Sequence, residues 1–369
     1  MKTRSVPLFL SVSVLAGVMA VGGSAAASPL CHPDLKAIAT PHLRKGSELA
    51  AVVAISKREA WAVGNQGAGA RTLREHWDGR TWTVVPGPDP GQGNTLEAVD
   101  GTSSSDVWAV GATFDGVSDH GLIQHWDGAQ WVLSPNPAGA GLTGVAVLSP
   151  TDAWAVGEAQ TILHWDGVAW SNVTHLPLEE ADLHAVSAVS ADDVWFVGAV
   201  AVEGGGENTL ALHWDGSLVT NVTTDIPDGA SALNGVTALA PDDVWAVGVQ
   251  EDLVSRTVIE HWDGVVWTQV HSPNRGPEEN ELRGVSALSP TDIWAVGGFA
   301  SEEIQHPLVV HWNGSSWRTV EAEEPVPTDE VVEFNAVSAR TTQDIWAVGA
   351  HGPIVEEVTP LIENVQGCR

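Results

Sequence analysis

One tetrapeptide recurs along the whole chain. Trp-Ala-Val-Gly begins at Trp61, Trp108, Trp154, Trp245, Trp294 and Trp346, and Trp-Phe-Val-Gly begins at Trp195. Successive tryptophans are 47, 46, 41, 50, 49 and 52 residues apart. Self-similarity at such a period restricts a chain to arrays in which each unit buries its apolar face against the next. A second signature, His-Trp-Asp-Gly, trails six copies, at His76, His125, His164, His213, His261 and His311, with Asn313 replacing the Asp in the last. A third Trp closes five copies, at Trp82, Trp131, Trp170, Trp267 and Trp317, while Val219 stands there in the fourth. These positions account for all 18 tryptophans, so the first task of each is architectural.

The fifth copy shows the unit. A strand from Leu233, the turn Ala-Pro-Asp-Asp, a strand from Val244, a variable loop, a strand from Thr257, the turn Asp263-Gly264 and a strand from Val266 follow in order. Pro presets the first turn and Asp-Gly favours a tight hairpin. Four short strands per unit of this length is the period of propeller blades. β-helix rungs are much shorter, and a sandwich does not repeat one sequence seven times. The expected fold is therefore all-β, a seven-bladed β-propeller of four-stranded blades. The third position of each innermost strand is small, as crowding near the axis demands: Ala51, Ala98, Gly144, Ala185, Gly235, Gly284 and Ala336. The acidic residue two before each repeat Trp (Asp106, Asp152, Asp193, Asp243, Asp292 and Asp344, with Glu59 in the first) is expected to hold turn N–H groups.

The seventh copy ends early. Ile-Glu-Asn-Val-Gln-Gly, ending at Gly367, aligns with Ile-Glu-His-Trp-Asp-Gly of the fifth copy, and no fourth strand follows. Leu35-Lys-Ala-Ile-Ala-Thr-Pro41 aligns instead with Trp267-Thr-Gln-Val-His-Ser-Pro273. The ring is thus expected to be closed by an N-terminal strand. This alignment brings Cys31 and Cys368 to one hairpin end, and a disulfide between them is expected. Residues 1–27 read as a signal peptide, with Lys2 and Arg4 ahead of an apolar stretch and Ala25-Ala26-Ala27 as cleavage signal. Residues 28–369 then form a single propeller, in which 28–48 supply the outer strand of the last blade. Export to the extracellular space or cell envelope is implied.

The chain carries 47 acidic and 16 basic residues, a formal net charge of -31. Nucleic-acid binding and docking on anionic lipid need clustered Lys and Arg and are not expected. No apolar run after the signal stretch is long enough to insert into a membrane. No EF-hand spacing, phosphate-cradling loop or Gly-x-Ser-x-Gly elbow is present, and the chain has no Tyr to serve a sialidase mechanism. The repeated His residues lie in different units, too far apart to share an ion. No catalytic residues, no metal and no cofactor are therefore expected, and a monomer is.

Trp245-Ala-Val247 and His261-Trp-Asp-Gly264 with Trp267 resemble the repeats of secreted bacterial tectonin-like and Asp-box-like propellers, over Leu49 to Gly367. The resemblance implies the propeller fold and, through the tectonin-like group, a bias towards glycan binding. The Asp–Gly spacing of the Asp-box is not matched, since the two are adjacent here. Within the chain, the Ser-Pro-Thr-Asp and Asp-Gly turns hardly change and belong to one face. The other connections vary and share the opposite face, where recognition is expected. The second position of each inner strand also varies: Ala50, Glu97, Thr143, His184, Asn234, Arg283 and Asn335. These seven are the candidate ligand-binding ring. The function expected is non-enzymatic recognition or scaffolding, with an extracellular protein, peptide or glycan as partner. The alternative is a polysaccharide hydrolase or lyase on the same scaffold.

Overall fold

The computed structural model describes residues 35–365, except 42, 44–45, 68–69, 174–179, 203–204, 227–229, 252, 302–303, 324–330 and 354–357. The signal-peptide stretch, Cys31 and Cys368 lie outside the described residues. Every regular element among the described residues is a strand. Blades 1 to 7 occupy residues 48–84, 93–133, 142–172, 181–221, 231–269, 280–319 and 331–365. In blade 5 the strands are Ser231–Ala240, Asp243–Gln250, Arg256–Trp262 and Trp267–Gln269, each antiparallel to the next. The seventh blade has three strands of its own, and Leu35–Ala37 supplies the fourth. Leu35 faces Val365 as Trp267 faces Trp262 in blade 5, so the expected alignment of the two ends holds to the residue.

The tryptophans weld each blade to the next. Trp61 of blade 1 meets Trp126 and Trp131 of blade 2 at ring-centroid distances of 4.8 and 5.1 Å, the second edge-on. The same trio recurs at Trp108, Trp195, Trp245 and Trp346. Offset and edge-on contacts suit the aromatic quadrupole and add to the large area buried. At Trp154 the partners are Trp214 and Phe196, with Val219 in the same core cluster. At Trp294 the closing blade offers Leu35 and Val365 instead.

The acidic residue before each Trp does not cap the turn, contrary to expectation. Asp243 Oδ1 accepts from Trp245 Nε1 at 2.8 Å and from His261 Nε2 at 2.9 Å, and the His ring lies over the Trp. Equivalent His–carboxylate bonds of 2.8–3.0 Å occur in blades 1 to 6. The turn N–H is taken by a serine hydroxyl, as at Thr151 to Ser149 and Thr291 to Ser289. A carboxylate answers two side-chain donors, whereas one hydroxyl suffices for a turn amide. The glycine ending Trp-Ala-Val-Gly has a steric cause. A Cβ on Gly248 would collide with the carbonyl oxygen of Ala232, and the six equivalent glycines meet the same obstacle. Gly264, at φ +91°, lets the second hairpin turn against Asp242 of the first, which puts both unvarying turns on one face.

Candidate functional site

Every inner strand carries two register shifts, one beside its turn and an earlier β-bulge whose skipped residue is the predicted ring position. The register skips Ala50, Glu97, Thr143, His184, Asn234, Arg283 and Asn335 in turn. An extra residue in a strand re-aims its side chain, here across to the neighbouring blade. Thr143 Oγ1 donates to the carbonyl of Leu183 at 2.5 Å, His184 Nδ1 to Leu233 at 3.0 Å, Asn234 Nδ2 to Leu282 at 3.0 Å and Asn335 Nδ2 to Leu49 at 2.9 Å. Each accepting residue directly precedes the ring residue of the following blade. Arg283 Nη1 reaches Glu333 Oε2 at 2.7 Å and Asn335 Oδ1 at 3.0 Å, while its Nε bonds Glu281 at 3.2 Å. Burial opposes the Arg283 charge, but Glu333 and Glu281 outweigh it and raise its pKa.

Five ring residues thus form a hydrogen-bonded belt, and the ring is not a set of independent solvated side chains. The belt is interrupted at two neighbouring stations. Ala50 has no polar side-chain atom, and Glu97 makes no hydrogen bond to the next blade among the described residues. The mouth of the central channel widens there into a cavity of about 610 Å³, lined by Ala50, Glu97, Thr143 and Asn335 of the ring. Glu48, Asp119, Glu158 and Glu333 line it too, and no lysine or arginine does. Glu97 is the one exposed member of the ring. Partial desolvation, together with the charges of Glu48 and Glu158, pushes its carboxyl up, against a Thr95 hydrogen bond that lowers it. On the same blade, Phe114 is 38% and Val117 88% exposed.

Deeper in the channel a second belt runs the opposite way. Ala238 N donates to Ser187 Oγ, Ala339 N to Ser286 Oγ and Ala54 N to Ser338 Oγ, each at 3.0 Å, and Val147 N donates to Asp100 Oδ2 at 2.7 Å. Burial raises the Asp100 carboxyl to about 6, although two backbone N–H groups favour its charge.

Composition and repeat spacing single out the ring but not Glu48 or Glu333. The signal was available, since these residues lie two before Ala50 and Asn335 on strands whose side chains alternate in direction. Asp119 opens a strand just after a variable loop and Glu158 begins another such loop, and no pattern fixes the course of those loops. Among the described residues no three His, Cys, Asp or Glu side chains converge closely enough to hold a metal ion, nor is any helix long and apolar enough to cross a membrane.

No protein-family model and no curated protein sequence matches the chain. Solved structures do. YCF48 bound to D1 peptide superposes with a TM-score of 0.60 at 15% identity, covering 91% of this chain and 100% of that one. YCF48 from Cyanidioschyzon merolae gives 0.58 at 15% identity, covering 90% and 98%. The WD40 β-propeller domain of Doa1 gives 0.59 at 13% identity, covering 89% and 97%. In fold, and across about nine tenths of its length, the chain is similar to YCF48 and WD40 propellers.

Proposed function

We propose that this protein is a non-enzymatic recognition scaffold that binds a protein or peptide segment at the channel mouth on its variable-loop face. The observation that carries this reading is the cavity at Ala50 and Glu97, a concave opening where the belt that seals the rest of the ring is broken. Preformed concavities with a few polar groups are the usual ligand sites of rigid scaffolds. No aromatic residue lines the cavity, which favours a peptide over a sugar, because glycans are commonly held by stacking. The similar YCF48 structure holds a D1 peptide, an analogy of fold that points the same way. The basic, apolar and small-residue order of residues 2–27 supports action outside the cytoplasmic membrane.

Selection of a random peptide library on the intact protein tests the reading. Enriched peptides should lose binding to an Ala50→Phe variant, which fills the cavity, while that variant melts normally. Peptides that bind both proteins equally would place recognition elsewhere.

One observation favours a second reading. A carboxyl raised by its surroundings, at Glu97, beside Glu48 and Glu158 is an acid next to other carboxylates, the chemistry a glycoside hydrolase requires. Release of reducing ends from soluble polysaccharides, abolished by Glu97→Gln, would establish it.

A further inference from the structure

The interrupted belt also specifies what completes it. We infer that the channel mouth takes a cationic side chain, a guanidinium or ammonium group, presented by the bound peptide. The inference rests on the peptide-recognition reading above and names the chemistry of the partner.

The belt follows one rule over much of its length: a side chain of one blade donates to the carbonyl preceding the bulge of the next. Thr143, His184, Asn234 and Asn335 obey it. At Ala50 and Glu97 the ring side chain makes no such bond to the corresponding carbonyl, that of Leu96 or Leu142, and Leu142 lines the cavity. A ligand completing these stations must bring N–H groups. It must also bring positive charge, because Glu48, Glu97, Asp119 and Glu158 line the opening with no Lys or Arg among its lining residues, and only Glu333 of its acids is met by an arginine, Arg283. The ring already accommodates such a group elsewhere. Arg283 lies between Glu281, Glu333 and Asn335, bonded to all three, and Glu333 also faces the cavity. The incoming cation would lie among Glu48, Glu97 and Glu158 as Arg283 lies among its own acceptors. A bare metal ion does not fit, since the carboxylates do not converge to chelate one. A planar fork of donors, able to span separated carboxylates, does. Phe114, exposed at the strand end opposite Asp119, and Val117, exposed in the connection between them, give an apolar flank that a free polyamine would not use and a peptide would.

The test is the composition of peptides selected on the intact protein, followed by fluorescence anisotropy of the best binder. An Arg or Lys should be enriched at one position. Replacing it by citrulline, which keeps the shape and loses the charge, should weaken binding at least tenfold. Glu97→Gln with Glu158→Gln should do the same at an unchanged melting temperature. Ala50→Asn, which gives the belt a donor of its own, should also weaken binding, and raising salt should weaken the parent more than the double variant. Selected peptides without a basic residue that are still displaced by Ala50→Phe would overturn the cationic inference and leave the recognition site standing. No enrichment at all would overturn both.

Discussion

Trp245, Asp243 and His261 show how single residues specify this fold. The indole supplies buried area between blades 5 and 6, the carboxylate fixes its N–H, and the imidazole covers its face. Trp245→Ala should cost about 3–5 kcal/mol, the range for removing a large ring from a packed core. Asp243→Ala removes no apolar area, yet it strands two donors and should cost about 1–3 kcal/mol. Chemical denaturation compares the two. Equal effects would mean that the hydrogen bonds, not the packing, hold the seam. Gly248→Ala adds one methyl directly against the Ala232 carbonyl. It should destabilise by about 1–3 kcal/mol, as overpacking does, although alanine favours a strand no less than glycine does.

Among the elements, Leu35–Ala37 stands apart. It is three residues long, it comes from the opposite end of the chain, and it places Leu35 where five other seams have a Trp and one has Val219. Leu35 is nonetheless 1% exposed and packs with Trp294 and Val365. Leu35→Ala should therefore cost about 2–4 kcal/mol, and hydrogen exchange should show the loss first in Thr359–Val365. Uniform loss of protection across all blades would instead show that the ring opens as one unit. The strand and its register were legible in the sequence because blade 5 supplies a complete unit against which Leu35 and Val365 align. The bulges were not. A bulge is a mismatch between two strands, and the residues at Ala50 or Asn234 carry no local mark of it. The role of Asp243 was misread for a related reason: its partner His261 lies across a strand pair, while the nearest unpaired amides lie in the adjoining turn. The seven ring positions were found by their variability, and their cross-blade bonds became visible only with the blades in place.

At the scale of the whole molecule, acidity is distributed unevenly between surface and interior. Six Asp-Gly turns, five of the repeat and one at Asp115, hold carboxylates whose pKa is lowered by backbone N–H groups, with Asp215 held first by the Ser217 hydroxyl. Three other carboxyls sit at one register position, opposite Ala62, Ala246 and Ala347, and are fully buried: Glu75, Glu260 and Glu363. Leu163, Leu212 and Val310 take that position in blades 3, 4 and 6. Glu260 accepts from Asp225 N, and Glu363 from Glu323 N at 3.4 Å, in the segments that lead into their blades. Neither oxygen of Glu75 has a partner among the described residues. Burial raises Glu75 and Glu363 to about 8 and Glu260 to about 7. The Asp225 and Glu323 N–H groups oppose the rise at Glu260 and Glu363 more than the charges of those two residues add to it, and Lys36 also opposes it at Glu363. The linkage follows from these directions. Below about pH 4 the buried groups are protonated whether the chain is folded or not, and they contribute no pH dependence. As pH rises towards 8 the unfolded chain releases protons that the folded chain retains, so stability falls, and above about 8 the loss is complete. The turn aspartates act in the opposite sense, and their contribution is lost as pH drops below about 4. Melting temperature should therefore peak in mildly acidic solution and decline between about pH 5 and 8. The triple variant Glu75→Gln, Glu260→Gln, Glu363→Gln, which keeps the shape of the neutral acid, should flatten the alkaline side while leaving the acid side unchanged. Asp100, raised to about 6, keeps a decline below about pH 6 in the triple variant. A decline that persists above that would trace the alkaline loss to repulsion within the net charge of -31, a term that rising salt screens at the surface and leaves nearly untouched at a buried carboxyl.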